Sequence, residues 1–500
     1  MSSTLRFCLL LVTLAVSSYY VVLHARVLGI DHPITPDEPG FVEITAAPNP
    51  YTATGVATCG NVYGPVYAAW ARPFAAAISN PYIAHRVAST VALFLALGIL
   101  GWTLRREGIG LVETGAGLAI FYILNVSSHS LAASADLTGT ALFLAALAAS
   151  RRNSWPSLVA GLAFSVLATL AKPYFALAWL IIASHLLLTA PRRRSLGFLA
   201  LSAACALLLA GGLLAAAPYY FHSTFIVQTA ASQRSSSIFL LQTGEFILLA
   251  GGLLLLAFLP PRRAGKIVGW SLPPLPRAID RWTWSALVAA LALLTLLAWH
   301  PGNYLVYFYH LLLGPLVIVA LRRLTDWPKA GTFLVGANLL VLGYLLPPQP
   351  RGDNWNALVA DVTAVRGPVL GDPLLEPIAR DHPNVKLLTH GQTASILQSL
   401  DNRGAGAPPR YAALHRELLR RAEQTAAEIR SGNYSAIYLS YQLVGAAPVW
   451  TYEGRHVLDA VRSRYRIVSE VVIYPYATPY WDRLQHGRYG YHLARWEPRP

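Results

Sequence analysis

The sequence predicts a polytopic α-helical membrane protein with a small α/β domain at its C-terminal end. Three observations lead there. The 500 residues have a mean hydropathy of +0.44 and only 13% charged residues, too apolar for a water-soluble chain of this length. Apolar runs of spanning length recur up to about residue 350. Charge then divides unevenly: residues 1–350 hold 21 Lys and Arg against 10 Asp and Glu, whereas residues 351–500 hold 18 against 14. The first part reads as a lipid-embedded body and the second as an ordinary soluble domain.

A spanning helix requires about 20 mostly apolar residues. Candidate spans begin near residues 5, 83, 109, 136, 155, 174, 195, 238, 282, 304 and 330, about eleven transmembrane helices. The first, Arg6 followed by an apolar run to about Leu23, has the layout of a secretory signal. It is read as an uncleaved helix, because the run is long and the remaining topology balances only if it stays. With a cytoplasmic N-terminus, the cytoplasmic loops contain Arg105-Arg106, Arg151-Arg152, Arg192-Arg193-Arg194, Arg262-Arg263 with Lys266, and Arg322-Arg323. Sixteen of the 21 basic residues before 351 fall inside, as the positive-inside rule demands. An odd number of spans places the α/β domain, 349–500, outside the cytoplasm. The transmembrane body, 1–348, then includes a long first external loop, 25–82, and loops of that length are usually functional.

In that loop, "HPITPDEPGF" (32–41) sets Asp37 and Glu38 between prolines. "TPDE" is a capping box, with Thr35 as N-cap, Pro36 at the first helical position and Glu38 reaching back to the Thr35 amide. That leaves the Asp37 side chain without a structural duty. "NVYGPVYAAWARPFAAAI" (61–78) reads as a short amphipathic helix at the membrane surface. In the terminal domain, "GPVLGD", "SAIYLSY" and "YRIVSEVVIYP" are strand-like, and 409–432 is a helix ending at Gly432. No nucleotide-binding glycine fingerprint, P-loop or zinc spacing occurs. Cys8 and Cys205 lie in apolar runs, so with Cys59 they form no visible disulfide framework. Basic residues sit in short clusters between apolar runs, which argues against a nucleic-acid partner.

Few charges face outward. The acids are Asp31, Asp37, Glu38, Glu43 and Asp136, with Glu245 about two turns inside its helix; the cations are Arg26, Arg72, Arg86, Lys172 and Arg234. Charges in or near a membrane suggest function. A carboxylate can take a proton from an incoming hydroxyl, and a cation can stabilise a leaving phosphate. Structural duties compete for each of them. Asp136 suits a helix N-terminus, Lys172 can snorkel to the interface, and Arg234 is a solvated loop charge. Glu245 can bond a neighbouring helix. His222, His300 and His310 suit the membrane interface, and Tyr304, Tyr307 and Tyr309 an aromatic belt.

An acidic pair after helix 1, "YGPVYAAW" (63–70), "SADLTGTALFLAALA" (134–148) and "LATLAKPYFAL" (167–177) occur in this order. Together they resemble the GT-C fold glycosyltransferases, in the branch of the protein O-mannosyltransferases and the lipid A aminoarabinose transferase. The resemblance covers roughly residues 1–180; helices 7 to 11 match only in hydropathy. The tail is similar to the external domain of bacterial members of the branch.

The resemblance implies a GT-C-like fold and a donor sugar on a polyprenyl phosphate, transferred with inversion at the outer leaflet; the Arg-over-Lys bias and short loops suit a bacterial plasma membrane. It implies Asp37 as the general base and Asp136 as a second essential acid. Lys172 would hold the donor phosphate; Arg234 and Arg72 are further phosphate candidates on position alone, and Glu38, Tyr63 and Tyr67 would support the site. Val62, Tyr63 and Gly64 stand where some relatives have an acid and a lysine, and Pro39 and Gly40 stand where some have an arginine. No cofactor is required on this reading, and a divalent metal is left open. The acceptor is a lipid, glycan or protein hydroxyl, and membrane lipids are the surroundings. The alternatives are a transporter or lipid flippase, against which the absence of an internal repeat counts, and a scaffold for the external domain, which leaves Asp37 and Asp136 unexplained.

Overall fold

The computed structural model describes residues 3–35, 37–59, 63–127, 134–221, 224, 236–260, 280–299, 307–344, 354–389, 391–401, 411–444, 447–450, 455–473 and 491–500. The body contains helices α1 (Ser3–Leu28), α2 (Asp37–Ala46), α3 (Ala53–Cys59), α4 (Pro65–Ala77), α5 (Pro81–Arg106), α6 (Leu111–Ser127), α7 (Ala135–Ala149) and α8 (Trp155–Ala171). They continue as α9 (Leu177–Thr189), α10 (Arg192–Ala216), α11 (Ser236–Leu249), α12 (Gly251–Phe258), α13 (Arg281–Trp299), α14 (Leu313–Asp326) and α15 (Pro328–Tyr344). Ten of the eleven expected starts fall within a few residues of the start of a described helix; the one near 304 lies outside the described residues. Among the described residues, four helices are long and apolar enough to cross a membrane: Ser3–Leu28, Pro81–Arg106, Arg192–Ala216 and Phe308–Asp326. Shorter apolar helices, α7 and α8 among them, fill the rest of the body. An eleven-span topology remains a proposal built on hydropathy and loop charge.

Two sequence features fix the elements that matter for the site. Proline restricts the residue before it to extended backbone. Pro173 therefore ends α8 at Ala171, and Lys172 takes φ −149° and ψ 139° before a short 3-10 turn, Pro173–Ala176. At the start of α7, the Ser134 hydroxyl caps the helix by accepting from the Asp136 amide. Gly139 lets α7 lie on that 3-10 turn: a Cβ there would come 2.0 Å from the Phe175 ring. Gly64 does the same for α4 and α8, since its Cβ would stand 1.7 Å from the Leu170 carbonyl oxygen.

The terminal domain holds a six-stranded mixed sheet made of β1 (Val369–Gly371), β2 (Val385–Leu387), β3 (Ala436–Val444), β4 (Ala447–Trp450), β5 (Tyr465–Ile473) and β6 (Tyr491–Pro498). The order is β2-β1-β3-β6-β5, with β4 paired to β3. β1 runs parallel to β2 and β3; β6 runs antiparallel to β3 and β5. Helices α16 (Trp355–Ala364), α17 (Glu376–Asp381), α18 (Gly391–Asp401), α19 (Ala412–Arg430) and α20 (Arg455–Arg464) accompany it. The three strand-like runs and the long helix of the sequence lie at β1, β3, β5 and α19. β6, inserted between β3 and β5, was not expected.

The domain rests on the segment between α1 and α5. Val56 and Ala57 of α3 are buried with Ile396, Leu397, Leu400 and Leu418. The Tyr82 hydroxyl donates to Glu376 at 2.6 Å, Arg421 donates to the Ala57 carbonyl at 3.0 Å, and His32 stacks on Trp355 with ring centroids 4.3 Å apart.

Candidate active site

Asp136 is the centre of the described polar residues at the end of the body that carries the segment between α1 and α5. It sits in the first turn of α7 and is 8% exposed. Its Oδ2 accepts from Lys172 Nζ at 2.8 Å and from the Ser134 hydroxyl at 3.0 Å. Its Oδ1 accepts from the Tyr174 hydroxyl, and His310 Nδ1 stands 3.7 Å from the same oxygen. The Lys172–Pro173–Tyr174 turn thus delivers two donors, one to each carboxylate oxygen. The Lys172 ammonium also lies 5.0 Å from the centre of the Tyr63 ring and 5.8 Å from that of Tyr174, a cation–π setting. Its side chain keeps 17% exposure, so the ammonium is not sealed away.

Tyr63 connects this group to the acidic pair. Its ring stacks on Phe41 of α2 at 4.6 Å, and Phe41 also meets Tyr67 edge-on at 4.7 Å. Tyr67 is buried, and its hydroxyl pairs with His85 Nδ1 at 2.9 Å. Asp37 opens α2; its side chain is outside the described part of the structure.

Glu38 has a different duty from the capping box. Arg86 draws both of its oxygens inward, with Nε to Oε1 and Nη2 to Oε2, each at 2.7 Å and both side chains fully buried. The remaining Arg86 donors take the carbonyls of Ile30 and His32 at 2.5 Å. Glu38 also reaches back, accepting from the Ile34 amide at 2.7 Å. The result is a clamp across the chain on either side of Asp37. Arg86 is a site residue that the sequence reading left unassigned.

The other expected phosphate ligands stand apart. Arg72 donates to the carbonyls of Thr45 and Ala47 at 3.3 Å each, closing the end of α2, and none of its described contacts reaches the Asp136 group. Arg234 lies outside the described residues, as do His222, His300 and Tyr304. His310 is wholly buried against Asp136 and is not at an interface. Glu43, farther along α2, is pushed up to about 7, first by burial and then by the nearby Glu376 carboxylate.

These features stand in a wider likeness. The chain is similar to ArnT from Cupriavidus metallidurans. The crystal structure of ArnT in the apo state matches over 96% of this chain and 97% of that one, with 16% identity and a TM-score of 0.41. The structure of ArnT bound to undecaprenyl phosphate matches over the same shares, with 17% identity and a TM-score of 0.41. No protein-family model matches the chain, and no curated protein does.

Among the described residues, no group of three or more His, Cys, Asp or Glu side chains is placed to hold a metal ion. A lysine offers a point charge with three donors, suited to a phosphate. One of those donors is held by Asp136.

Proposed function

We propose that the protein transfers a sugar from a polyprenyl-phosphate donor to an acceptor hydroxyl on the outer side of a bacterial plasma membrane, with inversion. The observation that carries this reading is the Lys172 ammonium, 2.8 Å from Asp136 and bordered by Tyr63 and Tyr174, in a body with few outward cations. Asp37 removes the acceptor proton as its oxygen attacks the anomeric carbon. The bond from that carbon to the phosphate oxygen breaks, and the polyprenyl phosphate leaves with the electron pair. Lys172 balances the phosphate charge, so no acid is needed to protonate the leaving group. Asp136 and Tyr174 fix Lys172. α7 has 15 residues and so rises about 22 Å, less than the roughly 30 Å hydrocarbon core. With its other end at the inner face, Asp136 would lie below the outer surface, where a lipid-borne phosphate can reach Lys172 from the leaflet.

The test is transfer by purified protein in vesicles supplied with labelled polyprenyl-phosphate sugars. Wild type is expected to release polyprenyl phosphate and label an acceptor. Asp37→Asn is expected to fold and insert but to lose transfer by a factor of about 10² or more. Undiminished transfer by Asp37→Asn removes Asp37 as the base. Flux of the intact donor across the bilayer without any transfer favours a flippase.

A further inference from the structure

His310 reaches Asp136 by an unusual piece of backbone. Residues Phe308–Leu312 form a π-helical turn that leads into α14 and packs on α7. Single π-turns insert a residue into a helix, re-aim its side chains and recur at functional sites. Here the turn places two side chains on the Asp136 group. Tyr307 meets the Tyr174 ring edge-on, with centroids 4.7 Å apart and planes at 88°. His310 brings Nδ1 to 3.7 Å from Asp136 Oδ1, with its side chain completely buried. That separation is too long for a hydrogen bond, and a movement of under about 1 Å would make one.

The three nearer donors explain why a fourth group is kept at this distance. Asp136 Oδ2 depends on Lys172 and Ser134, and Oδ1 on Tyr174. A phosphate that engages Lys172 pulls the ammonium from Oδ2. A carboxylate in a buried site cannot lose its main charged donor without cost. The group next in reach is the His310 imidazole.

We propose that His310 is a positioning residue that takes hold of Asp136 as Lys172 turns to the donor phosphate. This rests on the transferase reading above. His310 then touches neither sugar nor phosphate. It acts by making Lys172 easier to recruit, so its contribution lies in donor affinity and depends on Lys172 being present.

The experiment measures binding of polyprenyl phosphate to the purified full-length protein in detergent, by intrinsic tryptophan fluorescence. His310→Ala is expected to weaken binding by about tenfold. His310→Asn, whose amide N–H can stand where Nδ1 stood, is expected to recover most of that loss. In a Lys172→Met background, His310→Ala is expected to change binding by less than about twofold, since no ammonium has to be released. Equal losses in the two backgrounds, or wild-type affinity in His310→Ala, overturn the proposal, because a packing role would act regardless of Lys172. If the alanine variant does not fold, Asn against Gln decides. Asn should bind better, and the reverse order overturns the assignment of Nδ1. A wild-type protein that fails to bind polyprenyl phosphate refutes the transferase reading and this inference with it.

Discussion

The body has two polar ends, and they treat charge differently. At the end with the arginine-rich loops, Glu107 pairs with Arg151 at 3.1 Å and Arg322 at 3.6 Å, and Arg322 also pairs with Asp280 at 2.7 Å. The two arginine side chains are 34% and 36% exposed and that of Asp280 is 41% exposed. At the other end, Arg86 and Glu38 are wholly buried, and Asp136 and Lys172 nearly so. Wet pairs gain little, about 0–1 kcal/mol, because water already solvates each partner. A dry pair is different: removing one partner strands a charge and costs about 3–5 kcal/mol. Glu113 and Glu107 at the arginine-rich end are also shielded, at 5% and 13% exposed, but their arginine partners stay in water; pairs with both partners withdrawn need not add stability over an apolar core, and they point to chemistry at the Asp136 end.

The largest difference between the ends should appear in catalysis. Lys172→Met is expected to lower sugar transfer by about 10² or more, through lost charge at the leaving phosphate, while Arg322→Met stays within about twofold. Initial-rate assays at saturating acceptor measure both. Stability comes next. Arg86→Met leaves the Glu38 carboxylate buried without its arginine and should cost about 3–5 kcal/mol, against about 1 kcal/mol or less for Arg151→Met. Denaturation in detergent would show the contrast, and equal losses would remove the distinction between the ends.

A smaller effect concerns the seam between the first external loop and the terminal domain. Glu43 holds its proton up to about pH 7 in the folded protein, whereas in the unfolded chain it has the ordinary value of 4.5. Between those limits the unfolded chain gives up a proton that the folded chain retains. Rising pH therefore favours unfolding across that window, and the effect levels off above about 7. Glu43→Gln should flatten the fall in stability over that range and raise stability at the alkaline end. An unchanged slope would show that the carboxyl is not buried as described. The smallest effect is expected from Tyr82→Phe, which removes one hydrogen bond to Glu376 and should cost about 1 kcal/mol at the same seam.

What the sequence reveals and what it hides follow from range. The body's helices are written in hydropathy, so their starts were legible. Lys172 stood out as an isolated outward cation, and Pro173 marks the break that frees it. Tyr174 lay in the same quoted segment but had no visible partner, because its carboxylate is 38 residues away on another helix. Arg86 finds Glu38 across 48 residues, and a lone arginine in an apolar run does not say whether it turns to water or to a buried acid. The π-turn left no mark in "YFYHLLLGPL", so His310 looked like any histidine near a helix end. "TPDE" did announce a helix start, but a local motif could not foresee that a distant guanidinium would claim Glu38. β6 escaped because its partners, β3 and β5, come from either side of a helix and define it only in three dimensions.

The central claim is that the buried end, at Lys172, receives the donor phosphate. The most direct measurement is the affinity of folded protein for polyprenyl phosphate in Lys172→Met and Arg322→Met compared side by side. The account predicts a loss of about tenfold or more for the first and less than about twofold for the second. Equal affinities, or a greater loss at Arg322, would contradict it.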